Sequence, residues 1–147
     1  MRFGVLYLAQ DLATAFCESV IHADTLFRDG SFEVSNAELA RRVPIHFRRA
    51  DGGDFLSLAD LTGAALKRMG LNNDISATVD YSLTQRWAQA IHTLDAGIDG
   101  IRYISRQSNR AFCVAAFDRC ALVPVSGKRM SARQLSALCR ALNVIGL

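Results

Sequence analysis

Between Asp11 and Asp24 the only carboxylate is Glu18, set in an apolar run from Leu12 to Ile21. An unpaired carboxylate is costly to bury. Glu18 therefore either joins Asp11, Thr14 and His22 on a solvated stripe or lines a cleft and works there. His22 follows one turn later and can pair with it, but further ligands at metal spacing are missing, so a metal centre is not expected. Ser105 and Arg106 stand where the strand-like Tyr103-Ile104 gives way to the polar run from Arg106 to Arg110. A hydroxyl and a guanidinium at a strand end can contact ribose and phosphate; an ordinary turn serine has the same local sequence. No G-x-S-x-G surrounds Ser105, which argues against a hydrolase nucleophile of that kind. Tyr7 alternates with Val5 and Ala9 on one strand face, where its ring either packs into the core or stacks on a planar ligand. Trp87 and Tyr81 read first as core.

Composition narrows the classes around these residues. A chain of 147 residues, half of them apolar and without low-complexity tracts, fits one domain with one core. Net charge is only +3, yet of 17 basic residues just Lys67 and Lys128 are lysines. Arginine's planar fork suits phosphate and carboxylate partners. The pairs Arg41-Arg42, Arg48-Arg49 and Lys128-Arg129 lack a helix-turn-helix or RNP frame, so they read as solvated or partner-facing rather than as a nucleic-acid surface. Gly52-Gly53 and the Gly97 to Gly100 segment match no phosphate loop. Cys17, Cys113, Cys120 and Cys139 have no C-x-x-C spacing and sit in apolar context, which disfavours zinc and disulfides alike. The N-terminal Phe3 to Ala9 imitates a signal peptide until Gln10 and Asp11 interrupt it, and no stretch reaches the roughly 18 apolar residues of a membrane span.

The elements that must position these side chains follow from periodicity and caps. Gly4 to Ala9 reads as a strand, and Asp11 caps a helix over residues 12 to 23. A loop is expected at Arg28 to Ser31, then a short helix from Ser35 through Ala40. Val43, Ile45 and Phe47 alternate with polar residues in a half-buried strand that Pro44 places at an edge. Phe55 to Leu58 is expected to pair back on it, and Asp60 to cap a helix through Arg68 that Gly70 ends. Asn72 to Tyr81 reads as a loop and Ser82 to Ala96 as the clearest helix, with Leu83, Trp87, Ala90, Ile91 and Leu94 on one stripe. Strands at Gly100 to Ile104, Phe112 to Phe117 and Leu122 to Val125 precede a helix from Ser131 through Leu142. Hairpin-like spacing of the late strands points to α+β with a mixed, largely antiparallel sheet, not a doubly wound parallel one.

Three segments, in order, resemble the RES domain family. Leu6-Tyr7-Leu8-Ala9 followed by Ala15-Phe16-Cys17-Glu18 is similar to its "Y-L-A … A-x-x-E" block. The helix Tyr81-Ser82-Leu83-Thr84-Gln85-Arg86-Trp87-Ala88 leading into Asp99-Gly100-Ile101-Arg102-Tyr103-Ile104-Ser105-Arg106 is similar to its helix and "D-G-x-x-Y-x-S" strand. Cys113-Val114-Ala115-Ala116-Phe117 is similar to the strand that follows.

What the resemblance implies is a single domain over residues 1–147 with a core like that of ADP-ribosyltransferases. It implies a cytoplasmic bacterial toxin that cleaves the nicotinamide–ribose bond of NAD by hydrolysis or phosphorolysis, with NAD as substrate and no cofactor or metal. Glu18 would stabilise the developing oxocarbenium ion, Ser105 would orient the ribose or carboxamide, and Tyr7 and Arg106 would bind substrate. A Xre-like helix-turn-helix antitoxin would be the partner, a homodimer is compatible, and neither membrane nor nucleic acid is an expected ligand. The family's arginine, in a Gly-Arg-aromatic segment upstream of Tyr7, has no match among the six preceding residues, and Arg2 lies too close to carry the role. The expectation is a late-called start or a shortened copy with little or no NAD turnover. ADP-ribosyl transfer to a protein, or a non-catalytic antitoxin-binding role, are the alternatives.

Overall fold

A computed structural model of the chain describes residues 3–21, 25–72 and 81–147. The central sheet has four strands in the order β1 (Val5–Ala9), β7 (Phe112–Phe117), β6 (Gly100–Ile104), β5 (Leu58–Leu61). β7 runs antiparallel to both β1 and β6, whereas β5 is parallel to β6. Alternation along β7 separates two apolar layers. Ala115 and Phe117, with Ile101 of β6 and Leu61 of β5, meet Leu66 of α3 (Gly63–Arg68) and Trp87, Ala88 and Ile91 of α4 (Tyr81–Leu94). On the other face Val114 and Ala116 pack with Leu8, Leu58, Phe112 and Leu122.

Asp11 caps α1 (Leu12–Val20), its Oδ1 accepting the Thr14 N–H at 2.8 Å. Phe16, Cys17, Val20 and Ile21 then bury against Val34, Leu39 and Val144, with Leu135 and Leu138 of α5 (Ala132–Ala141) alongside. Ser35 caps α2 (Asn36–Arg41), and Ser131 and Gln134 close a reciprocal capping box on α5. His22 and Asp24 lie outside the described residues, as do 73–80 of the expected Asn72 to Tyr81 loop.

Two expectations are corrected and one is extended. The loop expected at Arg28 to Ser31 is present as the turn of a hairpin, β2 (Leu26–Arg28) on β3 (Ser31–Val34). Asp29 and Gly30 both have positive φ there, +50° and +80°, the geometry of a two-residue hairpin turn. β3 continues parallel onto the three-residue β9 (Val144–Gly146), which periodicity could not resolve at that length. β4 (Ile45–Arg49) pairs with β8 (Leu122–Gly127), not with Phe55 to Leu58. An ionic staple explains the difference: Asp99 Oδ2 accepts from Arg49 Nη1 and from the Ser57 N–H, both at 2.8 Å, and carries the 55–57 segment to the start of β6. Asp60 consequently lies inside β5, where it accepts from the Thr62 N–H at 3.0 Å; the helix starts only at Gly63.

Gly100 leaves no room for a side chain between β6 and β7. A Cβ there would meet the Ala115 carbonyl oxygen at 2.5 Å and the Ala116 Cα at 2.9 Å, both rigid backbone atoms. Gly100→Ala is expected to lose about 2 kcal/mol, lowering the melting temperature by roughly 4–8 °C. An unchanged melting curve by circular dichroism would show that the two strands are not so tightly apposed.

Candidate functional site

The loop between β6 and β7 is built around one hydroxyl. Ser105 follows β6 directly, and its N–H donates to the Ala111 carbonyl at 2.9 Å, closing the loop; the Ala111 N–H donates to Ser108 at 3.1 Å. Ser105 Oγ accepts from the Ser108 N–H at 3.0 Å and the Gln107 N–H at 3.2 Å, and donates to Glu18 Oε1. A hydroxyl has one proton and two lone pairs, so Ser105 is saturated by protein. It is also 1% exposed. It therefore points at the carboxylate, not at solvent, which departs from a serine that touches a ligand directly.

Glu18 arrives from α1 because the apolar residues beside it commit that helix to the core, leaving its half-buried carboxylate turned to the hairpin. Gln10 fixes the approach: its side-chain oxygen accepts the Phe112 N–H at 3.1 Å and its own N–H donates to the Phe112 carbonyl at 3.2 Å, seating the start of α1 beside the loop. The Gln107 N–H also reaches Glu18 Oε1, at 3.4 Å. Oε1 is thus held by a hydroxyl and a backbone amide, and Oε2 has no protein donor among the described residues.

Cys113 and Tyr103 complete the polar cluster, and residue-type reasoning assigned neither a place in it. They are register partners across β6 and β7, and Tyr103 shares Ser105's side of β6. Burial first, and then the Glu18 charge, push the Cys113 thiol up to about 11, against which hydrogen bonding to Tyr103 acts. The Tyr103 hydroxyl is pushed up as well, by burial first and then by Cys113, Glu18 and Tyr7. The strand alternation Tyr103, Ser105 was the signal that would have found them.

Tyr7 is 71% exposed on the same sheet face, opposite Ala115, so it is not a core residue. Arg106 is exposed at the start of the loop. Arg102 is excluded from the site: its guanidinium lies over the Phe112 ring at 4.2 Å and 3.8 Å from Asp60, on the opposite face. Trp87 packs into the core, as expected; the Tyr81 side chain lies outside the described residues. Two hollows lie elsewhere. One of about 640 Å³ lies at the far end of β6 beside Arg49, Ser57, Asp99 and Arg119, and one of about 350 Å³ is bounded by Leu12, Phe16, Arg41 and Met130. In the first, Arg49 is paired with both Asp51 and Asp99, and Arg119 donates to the backbone carbonyls of His92 and Asp95. Among the described residues no group of three or more His, Cys, Asp or Glu is placed to hold a metal ion.

Both Cys113 and Tyr103 hold their protons more tightly in the folded chain than unfolded. The thiol's contribution to stability is therefore whole below about pH 9, its unfolded value, and is lost as pH rises through about 11. Urea unfolding is expected to show stability falling over that window by up to roughly 1.4 kcal/mol per pH unit for one proton. Cys113→Ala should flatten the decline. Parallel pH profiles for the two proteins would remove the thiol from the linkage.

No curated protein and no solved structure matches the chain. Among the described residues, no helix is long and apolar enough to cross a membrane. The family model for the RES domain matches residues 1–135 of the 147, a span that takes in Glu18, Ser105, Tyr103 and Cys113. The chain belongs to the RES domain family, the toxin family whose motifs its sequence carries.

Proposed function

We propose that the chain cleaves the nicotinamide–ribose bond of NAD, with Glu18 as the catalytic carboxylate. The observation that carries this reading is the half-tethered state of Glu18: one oxygen fixed by Ser105 and the Gln107 N–H, the other without a donor among the described residues. Departure of neutral nicotinamide leaves positive charge on the ribose carbon and ring oxygen. A carboxylate oriented beforehand stabilises that charge without reorganising as it forms. Water adding to the carbon and losing a proton gives ADP-ribose; phosphate in its place gives the sugar phosphate.

Each remaining role follows from exposure. Ser105 is a positioning residue that aims the carboxylate, since its hydroxyl has no capacity left for a ligand. Tyr7 offers an exposed ring face on which nicotinamide or adenine can stack. Arg106 lies one residue from Ser105 and supplies charge for phosphate. A toxin of this kind belongs in the cytoplasm, where NAD is available, and the family resemblance supports a helix-turn-helix antitoxin as its partner.

Purified protein incubated with NAD is expected to release nicotinamide. Glu18→Gln should cut the rate by roughly 100-fold or more, since it removes the charge while keeping the shape. Ser105→Ala should lower kcat with little change in KM and cost stability, because the Gln107 and Ser108 amides lose the acceptor at the centre of their loop. Undiminished nicotinamide release by folded Glu18→Gln protein would sink the mechanism. Radiolabel transferred from NAD onto protein would replace water with a protein acceptor.

A further inference from the structure

We infer that Gln10 is a positioning residue for the proposed cleavage: its side-chain amide couples the start of β7 to the cap of α1, and that coupling sets where on the helix's path Glu18 meets Ser105. The inference rests on the NAD-cleaving reading and adds to it a residue that acts through Glu18 without touching substrate. Gln10 is exposed and directly follows β1. Its backbone N–H donates to the Phe112 carbonyl at 3.2 Å, and its side-chain oxygen accepts the Phe112 N–H at 3.1 Å. The nitrogen of the same amide donates to Asp11 Oδ2 at 2.9 Å. A backbone N–H can only donate and a carboxylate can only accept, so a single orientation of the amide satisfies both neighbours.

These bonds close a ring through the site. Asp11 Oδ1 accepts the Thr14 N–H at 2.8 Å and the Asp11 carbonyl accepts the Ala15 N–H at 3.0 Å, so Asp11 is committed to the first turn of α1. The Thr14 N–H first, and then the Gln10 amide, hold the Asp11 carboxyl below its usual range, as fits a carboxylate engaged by donors. Glu18 stands one turn beyond Thr14, about 6 Å along the helix axis. From Glu18 the path continues through the Ser105 hydroxyl, and the Ser105 N–H donates to the carbonyl of Ala111, the residue before Phe112. Helix and loop are therefore both referred to the dipeptide Ala111-Phe112, one through Gln10 and the other through Ser105. Loss of the Gln10 amide leaves Ser105 held by its loop but frees the helix cap from the strand, and the error falls on the bond from Ser105 to Glu18. Because Gln10 is exposed, water can take up the freed Phe112 N–H and Asp11 Oδ2, so alignment suffers more than stability.

The test measures nicotinamide release from NAD by the wild-type chain, Gln10→Ala, Gln10→Glu, Glu18→Gln and the double variant Gln10→Ala/Glu18→Gln. Gln10→Ala is expected to lower kcat roughly tenfold, the scale of a small misplacement, with KM changed by less than about twofold because no substrate contact is lost. Gln10→Glu keeps an acceptor for Phe112 but offers Asp11 a second carboxylate in place of a donor, so at neutral pH it should lose kcat as Gln10→Ala does. In the Glu18→Gln background, Gln10→Ala should lower the rate by less than about twofold more, since a residue acting through the Glu18 carboxylate has nothing left to align. Wild-type kcat in either single variant of Gln10, a change confined to KM, or a loss that multiplies with that of Glu18→Gln would overturn the inference. If the wild-type chain releases no nicotinamide, the proposed activity fails, and the coupling is judged by amide hydrogen exchange. Exchange at Gln107 faster by about fivefold in Gln10→Ala, the worth of one ordinary hydrogen bond, with Ile101 inside β6 unchanged, upholds it. Gln107 protection equal to the wild type, or a loss shared equally by Ile101, refutes it.

Discussion

A carboxylate drawn halfway out of water must be given donors, and in this chain the donors come from 87 residues away. The bond from Ser105 to Glu18 joins the first helix to the hairpin of the two central strands. Neither side can be moved alone. If α1 shifted, the buried Ser105 hydroxyl would lose its acceptor; if the hairpin loop opened, Glu18 Oε1 would lose both of its donors. Unsatisfied buried polar groups each cost about 1–3 kcal/mol, enough to make this joint a condition of the fold as well as of the site.

β6 is the member that spans the molecule between two such joints. At its start Asp99 takes in Arg49 and the Ser57 amide, and its own carbonyl accepts the Phe117 N–H at 2.8 Å. At its end Ser105 takes in Glu18. Between them five residues cover about 17 Å, nearly all apolar except Arg102, with Gly100 letting β7 come close. Polar staples at both ends of an apolar strand fix its register, since a slip by one residue would turn Tyr103 and Ser105 to the wrong face.

Much of this was legible. Glu18's isolation, the break in character at Ser105, the caps at Asp11, Ser35 and Ser131, and the strands from Gly100 and Phe112 all rest on local composition or periodicity, and the α+β class followed from their order. What sequence could not supply were partners chosen at long range. β4 pairs with β8 and Arg49 with Asp99, fifty residues on, and no local pattern distinguishes that from a hairpin with Phe55 to Leu58. β9 is too short to have a period. Cys113 looked like a small hydrophobe and indeed is buried; only its register opposite Tyr103 shows that it also stands beside a carboxylate. Ser105 was found by position, but whether its hydroxyl faces ligand or protein is decided by three hydrogen bonds that no spacing encodes.

The openness of the site then constrains how it must work. Two unit charges 4 Å apart attract by only about 1 kcal/mol in bulk water and about 4 kcal/mol at the effective dielectric of a protein surface. Glu18 on an exposed face would stabilise a ribosyl cation weakly if water stayed. In the proposed reaction the substrate itself must exclude that water: a ring laid on Tyr7 covers one side, and a phosphate chain held by the hairpin loop draws the ribose down against Oε2. Binding energy from the remote parts of the dinucleotide is thereby converted into a drier, stronger interaction at the bond that breaks. A site of this design needs its carboxylate rigid before the substrate arrives, because the substrate can supply cover but not alignment. That is what a saturated, buried serine provides.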